Sequence, residues 1–107
     1  MKLVNGTVAL KLLEKGEKIY SEVQSYVSYY LDNDRLWFHN EKRDYKETSL
    51  LNRKDIINKY FYVKEETLNK YIEIFDLNIF IERLNHNIQY LGIEKVELLK
   101  IIDSIYK

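Results

Sequence analysis

The chain is predicted to be an α+β domain, with a short N-terminal helix, a small antiparallel sheet of four to five strands, and a C-terminal helical hairpin of two to three helices. Three observations predict it. Residues 25–31 and 35–40 are dense in Tyr, Val, Leu, Trp and Phe and flank the polar run Asp32-Asn33-Asp34, the pattern of a β-hairpin. From Thr67 onward the apolar residues recur at three and four, the period of a helix. Strands first and helices afterwards is the α+β order.

Taken in order, residues 6–15 predict a helix. Val8 and Leu12, then Ala9 and Leu13, repeat at i, i+4, with Asn5 or Thr7 to cap the start and Gly16 placed for a left-handed C-terminal residue. Residues 17–23 predict an edge strand. In the strand 25–31, Val27, Tyr29 and Leu31 share one face, and Tyr26, Ser28 and Tyr30 the other. Asp32-Asn33-Asp34 turns the chain because Asn and Asp tolerate positive φ. Residues 35–40 return as the partner strand, 41–44 form a second polar turn, and 45–48 a short further strand. Residues 49–59 are ambiguous, with a helical turn capped near Asn52 as one reading. Tyr60-Phe61-Tyr62-Val63 closes the sheet. Beyond Thr67, Leu68, Tyr71, Ile72, Phe75 and Ile79 form a stripe, continued by Phe80, Leu84, Ile88 and Leu91. This is one helix or two meeting near Asp76. Gly92 ends it, and residues 94–106 form a last helix. The whole, 1–107, is expected to be a single domain, with helix and sheet in 1–65 and a helical module in 66–107.

Composition bounds the function. At 46% hydrophobic and 32% charged the chain reads as globular. It contains no Cys, which rules out disulfides and thiolate metal sites. Lys+Arg and Asp+Glu each number 17, so there is no basic excess of the kind phosphate binding needs. Direct nucleic-acid binding is therefore not expected. The start of the chain has no secretory apolar core, and no apolar run reaches the roughly 20 residues of a membrane helix. A cytoplasmic location without membrane contact is expected.

Catalytic chemistry finds no foothold. His39 and His86 have no second His or carboxylate at ligand spacing, so no metal site is predicted. None of the serines sits in a Gly-x-Ser-x-Gly elbow, and the three glycines are too widely spaced for a phosphate loop. The expectation is a non-enzyme with no cofactor.

The unusual feature is aromatic, with ten Tyr, four Phe and one Trp. If the hairpin strands alternate, Tyr26, Tyr30 and Trp37 cannot all face the core. Three readings stay open for them: a protein interface, a base-stacking surface, or cross-strand pairs that stiffen the sheet. Lys42, Arg43 and Lys46, with Arg53 and Lys54 following, border the second turn. They read either as solvated surface or as a local contact for phosphate or acidic protein. The last helix is apolar on more than one stripe, which fits central packing or a homodimer through the C-terminal helix.

The runs Ala9-Leu10-Lys11-Leu12-Leu13-Glu14-Lys15-Gly16-Glu17-Lys18-Ile19, Tyr29-Tyr30-Leu31-Asp32-Asn33-Asp34-Arg35-Leu36 and Asp55-Ile56-Ile57-Asn58-Lys59-Tyr60-Phe61-Tyr62-Val63 resemble a group of small phage and prophage proteins of low-GC bacteria. The resemblance covers residues 8–65. That group includes some anti-CRISPR proteins and the Thoeris anti-defence sponges, which sequester a cyclic nucleotide signal. It implies a phage-encoded, non-enzymatic inhibitor of a bacterial immune system, acting in the host cytoplasm. The most concrete form is an anti-CRISPR protein that binds a Cas effector stoichiometrically through Tyr26, Tyr30, Trp37, Lys42, Arg43 and Lys46. The sponge reading is the alternative, as is a small DNA-binding regulator. Tyr20-Ser21-Glu22-Val23 stands where the sponges carry an Arg-rich stretch and a Trp, and the tail from Thr67 has no counterpart in them.

Overall fold

A computed structural model describes the backbone of residues 1–91 and the side chains of residues 1–84. These residues form six strands and four helices. In chain order they are β1 (Lys2–Asn5), α1 (Gly6–Glu14), β2 (Ile19–Ser21), β3 (Val27–Asp32), β4 (Arg35–Asn40), β5 (Tyr45–Thr48), α2 (Arg53–Ile57), β6 (Tyr60–Val63), α3 (Glu65–Lys70) and α4 (Ile72–Leu91).

The class is α+β, with one antiparallel sheet in the order β1-β6-β2-β3-β4-β5. Three expectations change. The sheet has six strands rather than four to five, because Lys2–Asn5 adds β1. The stretch predicted as an edge strand is internal, since β2 pairs with both β6 and β3. β6 does not end the sheet but lies between β1 and β2. Both of those strands run antiparallel to it, so β1 and β2 are parallel to each other with β6 inserted, a split β-α-β unit.

Local chemistry explains the element ends. Asn5 caps α1, its side chain accepting from the Val8 N–H at 3.0 Å. At the other end Gly16 sits at φ 86°. The Glu17 N–H then reaches Leu12 O and the Gly16 N–H reaches Leu13 O, both at 3.0 Å, the Schellman arrangement. In α2, Asn52 and Asp55 form a reciprocal capping box. The β3–β4 turn has φ 53° at Asn33 and 61° at Asp34. Two positive values in a two-residue loop define a type I′ turn, whose twist matches the strands.

The core lies on one face of the sheet. Val4, Ile19, Val27, Phe61 and Val63 are all at most 3% exposed and pack under Val8, Leu12 and Leu13 of α1. Tyr29 joins them, set edge-on to Phe38 at 5.9 Å and to Phe61 at 6.1 Å. Ile74, Leu77 and Ile81 of α4 complete the cluster. The helix break falls at Tyr71 rather than near Asp76. That re-phases α4, so Ile72, Ile79 and Phe80 of the expected stripe are exposed, while Ile74, Leu77 and Ile81 are buried. The predicted helix at 94–106, the second arm of the expected hairpin, and the homodimer contact assigned to it lie outside the described residues.

Candidate binding face

Strand pairing fixes which side chains share the other face. Residues directly opposite one another point the same way. Tyr62 pairs with Tyr20, Tyr20 with Ser28, Ser28 with His39, and His39 with Lys46. That is one row crossing four neighbouring strand pairs. The next row holds Tyr30 opposite Trp37 and Trp37 opposite Thr48. All of these lie on the face opposite Val27, Tyr29 and Phe38.

Five of the six candidate residues come together on this surface. Tyr30 and Trp37 are a direct cross-strand pair, both half-buried. Tyr26 stands just before β3, is 37% exposed, and carries the Lys42 ammonium 5.7 Å above its ring. Lys46 is exposed in β5 next to His39. Arg43 sits at the exposed tip of the β4–β5 turn, where its backbone N–H donates to Asn40 Oδ1 at 3.1 Å. Arg53 does not extend this basic group, because it bonds Glu14 at 2.9 Å from the start of α2.

Charge on the face is held locally. The Lys18 ammonium lies 5.7 Å over the Tyr30 ring and 3.8 Å from Glu41. The same Glu41 oxygen accepts the Ser28 hydroxyl at 3.1 Å. His39 Nε2 is 3.1 Å from Asp44 Oδ1. Two polar atoms are left over: Trp37 Nε1 and His39 Nδ1 are buried and have no hydrogen-bond partner among the described residues. A buried N–H left unpaired costs about 1–3 kcal/mol.

Sequence reasoning missed Lys18, Tyr20, His39 and Tyr62 as members of the face. Tyr20 and Tyr62 meet only because residues 42 positions apart pair across β2 and β6. No local alternation announces that.

Among the described residues no group of three or more His, Cys, Asp or Glu is placed to hold a metal ion, and no helix is long and apolar enough to cross a membrane. No protein-family model, no curated protein and no solved structure matches the chain.

Proposed function

We propose that this chain is a non-catalytic binding protein that covers a protein partner with the strand face centred on Tyr30 and Trp37. One observation carries the reading. The Tyr30–Trp37 pair lies on the sheet face away from the core, and both rings keep part of their surface in solvent. Tyr and Trp supply large contact area with few torsions to freeze, which is why they dominate interface energetics. Lys42 over Tyr26 and Lys18 over Tyr30 hold two rings in place before any partner arrives, which lowers the ordering cost of binding.

The target rests on the sequence resemblance alone. It makes the partner a bacterial immune complex, most concretely a Cas effector, and the chain a phage-encoded anti-CRISPR inhibitor. Capture tests both parts. The intact chain is expected to retain a Cas effector from a bacterial lysate and to reduce its cleavage of target DNA at a stoichiometric ratio. The Tyr30→Ser/Trp37→Ser variant, folded by circular dichroism, is expected to lose both. Capture of a different protein by the same face sinks the target and spares the binding mode. A variant that binds as well as the parent sinks the face.

A further inference from the structure

We infer that β5 takes up an extended peptide segment of the partner as a seventh strand, with an aliphatic side chain of that segment seated in the groove beside Ser49. This rests on the reading of the chain as a protein binder and names the mode of contact.

The edge comes first. Among the described residues β5 ends the sheet, and all four of its residues are exposed. The Ser49 N–H donates to Leu36 O at 2.8 Å. Along an antiparallel strand, hydrogen-bonding groups turn alternately to one neighbour and the other. Tyr45, Glu47 and Ser49 therefore address β4, and Lys46 and Thr48 present their N–H and C=O groups outward. An added antiparallel strand would satisfy them all, as in β-augmentation.

The groove is the second observation and is independent of the first. A cavity of about 650 Å³ opens between the β3–β4 end and helices α1 and α2, with Thr48 and Ser49 on its rim. Leu10, Leu13, Leu31, Leu36, Leu51 and Ile56 give it an aliphatic part, and Glu14, Asp34, Arg35, Asn52 and Arg53 a polar one. Its size is that of a small-ligand site, but among the described residues it has no aromatic ring on which a planar ligand would stack. A residue placed opposite Ser49 points to the same side of the sheet as Leu36, toward this lining.

Charge selects the occupant. Two copies of the chain pairing through β5 must bring outward residues against outward residues. That sets Lys46 against Lys46, Glu47 against Glu47, or Thr48 against Thr48. The first two bring like charges directly opposite, and the third sets Lys46 against Leu50 and Glu47 against Ser49, which leaves both charges without a complement. A foreign strand has no such limit. Read antiparallel from Ser49 to Tyr45, its complement is an aliphatic residue, a β-branched one, a base opposite Glu47, and an acid opposite Lys46.

The probe is the peptide acetyl-Leu-Thr-Lys-Glu-Val-amide, titrated into the full chain labelled with nitrogen-15. Binding is expected to shift the Lys46 and Thr48 amides and slow their exchange with water. Thr48→Pro deletes one outward N–H without touching the β4 pairing, and should weaken binding about tenfold or more while the rest of the spectrum is kept. Leu31→Ser, at a half-exposed groove position, should weaken it by a similar factor. Exchanging the Lys and Glu of the peptide should also weaken it. Absence of shifts at the highest soluble peptide concentration, or equal binding by Thr48→Pro, overturns the edge mode. Neither result touches the Tyr30–Trp37 face, which is read separately by partner capture.

Discussion

The backbone N–H of Asn5 donates to the side-chain oxygen of Asn78 at 3.0 Å, across 73 residues of chain. The Asn5 side chain meanwhile caps α1 through Val8 and reaches Glu82 and the Asn78 carbonyl through its amide nitrogen. One buried residue thus ends β1, starts α1 and fastens α4. Asn78→Ala leaves the Asn5 N–H unpaired and is expected to cost about 1–3 kcal/mol. Asn5→Ala keeps that backbone bond but loses the cap, at about 1 kcal/mol. Urea unfolding of the two variants measures the two losses separately.

Two glycines are needed for different reasons. A Cβ at Gly6 would sit 1.8 Å from the Ile56 carbonyl oxygen, where α1 begins against α2. Gly6→Ala forces backbone apart and is expected to cost about 3 kcal/mol or more. Gly16 has open space but φ 86°, so Gly16→Ala is charged only for the left-handed conformation, about 1–2 kcal/mol. Thermal unfolding should separate them clearly.

The type I′ turn is built from Asn33 and Asp34 rather than Asn-Gly. Asp34 holds φ 61°, which Gly adopts without steric cost. Asp34→Gly is expected to stabilise the fold by about 0.5 kcal/mol despite the added freedom of the unfolded chain. A rise in the urea midpoint with unchanged slope checks it.

Burial raises the Tyr29 hydroxyl above its ordinary value of 10.0. The neutral form is the one the folded state prefers. The resulting stability is present in full below pH 10 and is lost as pH rises from there through the folded value. Tyr29→Phe removes this part of the alkaline decline while keeping the ring between Phe38 and Phe61. Unfolding curves at pH 8 and pH 11, with phenolate absorbance followed alongside, give the comparison.

How much of this was legible in the sequence follows contact range. α1 and the Asp32-Asn33-Asp34 turn were readable, and the Asn52 cap as one of the readings, because their causes lie within a few residues of one another. β1 was not, because Lys2 and Leu3 are exposed and only Val4 and Asn5 are buried, too little alternation to register. Tyr26, Tyr30 and Trp37 were identifiable as an outward group since the hairpin that holds them is local. Tyr20 and Tyr62 were not, since their partnership needs β6 to enter between β1 and β2. The groove at Ser49 gave no signal for a like reason, as its walls come from α1, α2 and the hairpin end.

The insertion of β6 between β1 and β2 also sets an order of assembly. The β3–β4 hairpin closes over a two-residue loop and can form early, whereas β1 finds no strand partner until Tyr60–Val63 has been made. A chain halted before Tyr60 would leave β1 without its strand partner and one margin of β2 unpaired. Ribosomal pausing or proteolysis ahead of that point should therefore yield sticky fragments rather than a smaller folded unit.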